Sequence, residues 1–353
     1  MPCGKDRFAR LLNGLSVWRT TGESESEMQV IEVAENGGPE ALRLVEKPTP
    51  WPAAGQVLIE VKAAGINFAD MLARQGVYPP APKPPFVPGF EVAGIVASLG
   101  EGVSVLTVGQ RVMGSVSWAG YADYAILDAH AAIPLPDTLD FAPATALLVQ
   151  GLTAWFLLDA AHFQPGESVL VNAAAGGVGS LAAQIARLRG ASVVIGTAST
   201  EDKRNLIIRD FGATAAVDYT SPGWAQKVIA ANDGKKVNVF LDATGELAGE
   251  GYDTLADGGR WLFYGSQQGR ADDLPAQRAL GLLFRNQSLT GFSLYPWMSD
   301  AARLQNALST LIQWATEGQL KIIATERFPL ADAARAHEAI ASRKTVGKVV
   351  LEP

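Results

Sequence analysis

The stretch SVLVNAAAGGVGSLAAQIARLRGASVVIGTAS, residues 168–199, decides the fold. A short apolar run ends at Asn172, a turn of small residues (Ala173 to Ala175) follows, and Gly176-Gly177-Val178-Gly179 opens a helix that leads to a second apolar run, SVVIG, at 192–196. A diphosphate reaches the backbone N–H groups of a helix N-terminus only where side chains are absent, and these residues provide that opening. Ala174 stands where the dinucleotide fingerprint has its first glycine, so the weight rests on the order strand, turn, helix, strand. The second strand closes on Gly196-Thr197-Ala198-Ser199 without the acid that holds a ribose 2′-hydroxyl in NAD sites. The hydroxyls of Thr197 and Ser199, followed by Lys203 and Arg204, suit a 2′-phosphate instead. NADP(H) is therefore expected over NAD(H), with Glu201 and Asp202 nearby as the opposing observation.

Downstream, VNVFLDA at 237–243 and RWLFYG at 260–265 are again short, apolar and separated by helical stretches. Fully apolar strands between helices predict a doubly wound parallel sheet covered on both faces, here over 151–292. Upstream the texture differs. MQVIEV, QVLIEVKAAGI, EVAGIVASLG, QRVMGSV and YADYAIL alternate apolar and polar residues between Gly and Pro, which predicts a compact β-rich domain over 28–150. The Pro-rich YPPAPKPPFVP at 78–88 is expected as an ordered loop. After a helix predicted over 301–316, the segments IIATERF and VGKVVLE flank a short helix over 331–341. The tail 293–353 thus returns to the β-rich texture and is expected to complete the first domain. Residues 1–27 are expected as a flexible extension ahead of Met28; their basic, amphipathic look would also suit a transit peptide, although Glu23, Glu25 and Glu27 follow closely.

A chain of 353 residues accommodates two domains of about 150 each. Its 48% apolar and 18% charged residues exclude general disorder, and a net charge of −7 disfavours nucleic acid or an anionic membrane surface as partner. The single cysteine, Cys3, excludes a disulfide framework and a cysteine-built zinc lobe; His130, His162 and His337 lie far apart, so no metal is expected. These features fit a reducing, cytoplasmic setting. The uncharged stretch 141–158, interrupted by Pro143, Gln150 and Gly151, is expected as a buried helix or helix pair and not a membrane span. No G-x-S-x-G elbow, Walker loop or H-E-x-x-H occurs, which argues against hydrolase, nucleotide-hydrolysing and zinc-protease chemistry.

GINFADMLARQGVYP at 65–79, PGFEVAGIV at 88–96, AAGGVG at 174–179, ATG at 243–245 and TVGKVVL at 345–351 occur in one order over nearly the whole chain. In them the sequence resembles the zinc-free quinone oxidoreductase (zeta-crystallin-like) branch of the medium-chain dehydrogenase/reductase superfamily, with its vesicle amine transport protein-like members nearest. The resemblance implies a GroES-like catalytic domain, a Rossmann cofactor domain, bound NADPH and a homodimer paired along the edges of the cofactor-domain sheets. Asn67, Phe90 and Gln150 stand where zinc-bearing relatives carry Cys, His and Cys, and none of the three is a plausible zinc ligand there. Without a Lewis acid, the expected acceptors are already electrophilic: quinones, enals and enones.

Carried over residue by residue, the resemblance places Asn67 and Tyr78 along the substrate pocket, where the Tyr78 hydroxyl would orient a carbonyl or donate a proton. Asp70 and Arg74, four apart on a predicted helix, are expected to pair and brace the site. Further cofactor contacts are implied for Thr153, Tyr219, Thr244, Gly265, Ser266, Phe292, Ser293 and Lys348, beside Ala174, Gly176, Gly177, Val178, Gly179, Thr197, Ser199 and Lys203. Trp118, Tyr295 and Trp297 either narrow the pocket or simply pack. Two other readings stay open at this point: an enoyl-thioester reductase on the same fold, and a non-catalytic NADPH-binding protein.

Overall fold

The structure, a computed structural model, describes residues 26–266 and 273–353, so residues 1–25 of the expected N-terminal extension lie outside the described residues. Glu27 already opens β1 (Glu27–Val33), which forms an antiparallel hairpin with β2 (Leu42–Pro48). β2, reading LRLVEKP, had no place among the predicted strands; its mostly exposed, charged residues gave little alternation to read. The next strands are β3 (Gln56–Ile66), β4 (Glu91–Leu99), β5 (Arg111–Ser115), β6 (Tyr124–Asp128) and the two-residue β7 (Ile133–Pro134). β3 is the hub, pairing antiparallel with both β4 and β6. Two register shifts along the β3–β4 ladder add the local twist that rolls a sheet toward a barrel. At Gly94 the two strands come so close that a Cβ would lie 2.9 Å from Ile59 Cγ2 and overlap the Glu60 carbonyl.

The second sheet is wholly parallel and contains β8 (Ser168–Val171), β9 (Val193–Thr197), β10 (Ala215–Val217), β11 (Val237–Asp242), β12 (Leu255–Phe263) and β13 (Ser288–Gly291). Its order is β10-β9-β8-β11-β12-β13, the Rossmann arrangement, in which the winding reverses between β8 and β11. That reversal opens a crevice at the carboxyl ends of these two strands. The central strands are buried on both faces, as their unbroken apolar runs require.

Between the sheets, Phe141–Ala160 forms one continuous helical run with a wider π-type turn at Leu147–Gly151. Among the described residues this run is long and apolar enough to cross a membrane, with mean hydropathy 1.6, yet 78% of its most apolar window is buried inside the molecule. Leu147, Phe156, Leu157 and Leu158 pack there against Val169, Val171, Leu181 and Ile185. The helix Ala301–Thr316 matches its predicted span and buries Ala307, Leu308 and Leu311 in the same core. The chain then rejoins the first sheet through β14 (Glu326–Pro329) and β15 (Val349–Glu352). β15 pairs antiparallel with β3, giving the order β14-β15-β3-β4-β5-β7.

Trp261 on β12 is almost fully buried, stacks on Phe240 at 5.2 Å between ring centroids, and donates its indole N–H to Asp242 at 3.3 Å. Trp261→Ala should therefore lower stability in urea unfolding by about 3–5 kcal/mol. Trp51→Ala, at a side chain 71% exposed, should stay within about 0.5 kcal/mol of the parent.

Candidate functional site

The ends of β8, β9 and β11 are latched together by Asn172. Its Oδ1 accepts from the Ala173 N–H at 2.8 Å and the Thr197 hydroxyl at 2.7 Å; its Nδ2 donates to Asp242 at 3.1 Å and to the Thr244 hydroxyl oxygen at 3.2 Å. Thr244 in turn donates to Asp242 at 2.7 Å. Thr197 is fully buried with its hydroxyl engaged in this latch, so the structure sets it behind the turn and not toward a phosphate. Asn172 and Asp242 were not singled out from the sequence, because each reads there as an ordinary strand-end residue.

Gly176 precedes the helix Gly177–Leu188, whose first N–H groups have no intrahelical acceptor. At Gly179 a Cβ would lie 2.8 Å from Ala174 Cα and overlap the Ala173 carbonyl; at Gly177 it would overlap the amide of Gln150. Ala174 is buried and its N–H donates to the Thr197 carbonyl at 3.0 Å, while Val178 packs partly buried at the core edge. This turn fits a diphosphate: the backbone is stripped of side chains at the N-terminus of a long helix, beside the crevice. Around it, Gly265 approaches Ala243 so closely that a Cβ would overlap the Ala243 carbonyl. Ser266 follows half-buried, Thr153 is buried on the helix Leu152–Ala160, and Phe292 packs at 6.0 Å from Trp297 while Ser293 is exposed.

Beyond β9 lies an open pocket of about 570 Å³ lined by Ser199, Thr200, Asp202, Lys203, Tyr219 and Thr220 on one side and Ser342, Arg343, Lys344 and Val346 on the other. It gathers the three predicted residues Ser199, Lys203 and Tyr219. Lys203, however, is anchored: its Nζ donates to the Arg343 carbonyl at 2.6 Å and the Thr345 carbonyl at 2.9 Å, leaving one of three N–H bonds for the pocket. Burial holds its pKa below the usual lysine value, opposed by Glu326. Arg343 and Lys344 were missed. A hydroxyl followed by two cations, Ser342-Arg343-Lys344, was legible, but nothing local says that it faces Ser199 from more than a hundred residues away.

On the first sheet, Asn67, Asp70, Arg74 and Tyr78 surround the helix Phe68–Arg74. Asp70 accepts from the Asn67 N–H at 2.8 Å and the Gly89 N–H at 3.1 Å, closing the entry of the helix onto the PGFEVAG turn. The expected Asp70–Arg74 pair does not form. Arg74 is buried with Nε and Nη1 lacking partners, and burial lowers its pKa, offset by Glu40. The Asp70 carboxylate is instead turned back to the Asn67 and Gly89 N–H groups at the helix entry, which occupy it in place of the guanidinium.

Tyr78 stands half-buried in an aromatic group with Phe90 and Trp118, each at 6.2 Å, and its hydroxyl is 3.4 Å from that of Tyr295. Phe90 and Trp118 are 4.3 Å apart. Trp118 and Tyr295 thus belong to the Tyr78 wall, whereas Trp297 stacks on Phe156 at 5.5 Å as packing. Burial raises the Tyr78 pKa above the usual phenol value, with Tyr295 opposing, so the hydroxyl stays protonated.

Lys348 is not at the dinucleotide turn's surface. It is fully buried, its Nζ donating to the Ile66 carbonyl at 3.0 Å, to Asn67 Oδ1 at 3.1 Å, and to Glu91 in an ion pair. Glu91, overlooked in the sequence despite being a lone acid in the apolar PGFEVAG, also accepts from the Asn67 amide at 2.8 Å and from the Val149 N–H at 2.9 Å. His337 is buried, 3.0 Å from the Tyr121 hydroxyl, and burial lowers its pKa to about 3; His130 and His162 are exposed. Among the described residues no group of three or more His, Cys, Asp or Glu could hold a metal ion.

Comparison with known proteins places this geometry in context. Residues 53–137 match the alcohol dehydrogenase GroES-like domain and residues 211–351 the zinc-binding dehydrogenase family model. A quinone oxidoreductase of Salmonella typhimurium is 36% identical over 330 residues, covering 92% of this chain and 99% of that one. The human synaptic vesicle membrane protein VAT-1 homolog is 32% identical, covering 90% and 84%; the bacterial enzyme thus stands nearer than this vesicle-type relative, against expectation. The crystal structure of Escherichia coli quinone oxidoreductase complexed with NADPH superposes with a TM-score of 0.83 at 33% identity, over 92% of this chain and all of that one.

Burial pushes the Asp70 carboxyl up from 3.8 to about 7, outweighing the two backbone N–H bonds and the Lys348 charge that lower it. Between these values the folded chain keeps a proton that the unfolded chain has lost, so this group's contribution to stability falls as pH rises through that window. His337 acts with the opposite sign between about 3 and 6.5, because it is neutral when folded and protonated when unfolded. Asp70→Asn removes only the first effect. The Tm difference, variant minus parent, should therefore rise from pH 4 to pH 7; a flat difference would mean that Asp70 ionises below that range.

Proposed function

Because the chain belongs to the zinc-free quinone oxidoreductase branch of the medium-chain dehydrogenase/reductase superfamily, we propose that it is a metal-independent, NADPH-dependent reductase of quinones and α,β-unsaturated carbonyls. The observation that carries the cofactor reading is the pocket beyond β9, where Ser199, Tyr219, Lys203 and Lys344 meet with Asp202 as the opposing acid. Hydroxyls and cations at that place suit a 2′-phosphate. NADPH held here would supply a hydride, so the two-electron reduction of the acceptor needs one further proton. Tyr78, kept protonated by burial, can hand over that proton or hold the carbonyl while water does so. The aromatic wall of Tyr78, Phe90 and Trp118 offers flat apolar faces to a planar acceptor and sheds water from it. Most of the rate enhancement would come from positioning.

In this reading residues 28–150 and the 293–353 tail form the catalytic unit, with β14 and β15 supplying its closure, and 151–292 the cofactor unit; the acceptor sits between them. The proposed setting is the cytoplasm. The chain is further proposed to form a homodimer across β13, whose outer edge has no partner strand among the described residues. The adjoining helix Ala276–Phe284 buries none of its residues and exposes Leu280, Leu283 and Phe284, the last by 79%. An unpaired edge beside an apolar helix is a surface that soluble proteins normally cover.

The deciding experiment follows nicotinamide absorbance with purified protein, NADPH or NADH, and an ortho-quinone, a short enal, an enoyl-CoA or, in reverse, an alcohol. Chelator-resistant NADPH oxidation by the quinone or enal is expected. Preference for the enoyl-CoA would move the assignment to an enoyl-thioester reductase, NADPH binding without turnover to a non-catalytic protein, and chelator-sensitive alcohol oxidation would overturn metal independence. Lys344→Ala should raise KM for NADPH about tenfold and leave KM for NADH unchanged, as the loss of one charge-assisted contact requires. Sedimentation should find a dimer that Phe284→Lys converts to monomer; a monomeric parent at micromolar concentration would remove the dimer proposal.

A further inference from the structure

In the reductase reading Asn67 lines the acceptor site, and its orientation is fixed by chemistry and not by choice. A lysine ammonium only donates and a carboxylate only accepts, so the amide must turn Oδ1 to Lys348, at 3.1 Å, and Nδ2 to Glu91, at 2.8 Å. A flipped amide would oppose two donors on one side and two acceptors on the other. With the amide locked, Oδ1 is occupied and one Nδ2 hydrogen is used, which leaves the second Nδ2 hydrogen as a donor of set direction.

We propose that Lys348 and Glu91 are positioning residues that hold Asn67 with this N–H presented to the acceptor's carbonyl oxygen, as the electrophilic group of a site without a metal. The inference deepens the reductase reading and rests on it. Lys348 and Glu91 are both wholly buried, where a charge pair needs strong reason to persist. The space for them is specifically cleared: a Cβ on Gly65 would lie 2.7 Å from Lys348 Cε and overlap the Glu91 carboxylate. Segments adjoining both partners reach the dinucleotide turn. The Gly347 N–H, next to Lys348, donates to the Ala175 carbonyl at 2.9 Å. Glu91 takes the Val149 N–H on the π-type turn, whose Gln150 covers Gly177. The acceptor-side amide and the cofactor-side turn are thereby referred to one buried pair.

Removing one charge alone would leave the other uncompensated and risks unfolding, so the test removes both. Lys348→Met/Glu91→Gln should keep Tm near that of the parent and leave KM for NADPH unchanged, while kcat for an enone falls at least about tenfold. Asn67→Ala should lose a similar factor, and adding the double substitution to it should cost nothing more, because the pair acts through Asn67. Factors that multiply, or a kcat that recovers with Tm, would overturn the proposal. A readout independent of turnover is the side-chain amide pair of Asn67 in protein labelled at asparagine nitrogen, assigned by its absence in Asn67→Ala. Slow exchange with water in the parent that becomes fast in the double variant supports the lock; an unchanged pair overturns it. A parent that reduces no acceptor would sink the reductase reading, and the spectrum would still decide whether the amide is held.

Discussion

A charge removed from water must be met by an opposite charge and by enough hydrogen bonds to replace its hydration. Lys348 and Glu91 satisfy this condition at the point where β15, β4, the end of β3 and the Leu147–Gly151 turn converge. No one of these segments could bury its charge alone. The requirement therefore ties the tail of the chain to its first sheet and the first sheet to the helix that leads into the second. Small residues on the β3 side, Gly65 among them, are a consequence of the same demand for room.

The parallel sheet adds a complementary constraint. Its order places the carboxyl ends of β8 and β11 side by side at the point where the winding reverses, and the Asn172 latch keeps the ends of β8, β9 and β11 in fixed relation. The glycine turn then works with backbone alone, because its geometry has been set by buried side chains behind it. In the proposed reading, recognition is divided between a backbone cradle, which suits any diphosphate, and the pocket of hydroxyls and cations beyond β9, which would discriminate between cofactors.

The fold was largely legible in the sequence because periodicity is local: the apolar runs of β8, β9, β11 and β12 and the helix Ala301–Thr316 lie where their patterns place them. β2, β7, β10 and β13 are short or exposed and leave little pattern. The site was legible in part. The family resemblance brought Asn67, Tyr78 and Tyr219 to notice and the end of the second strand Ser199 and Lys203, and the structure sets Ser199, Lys203 and Tyr219 around one pocket. What escaped was partnership. Asp70 and Arg74 have the spacing of a pair but opposing surroundings, Thr197 has a suitable hydroxyl that faces inward, and Lys348 finds its partners some 280 residues upstream. Such relations depend on which surfaces the fold brings together, and no window of sequence contains them.

One antiparallel partner of β3, the strand β15, comes from residues 349–352, and one wall of the pocket from the neighbouring Ser342 to Val346. During synthesis the parallel sheet can assemble while the first sheet still waits, with β3 exposed along the edge that β15 will cover. That edge stays open until residues 342–352 have been made, so a single segment closes the first sheet and completes the pocket wall together.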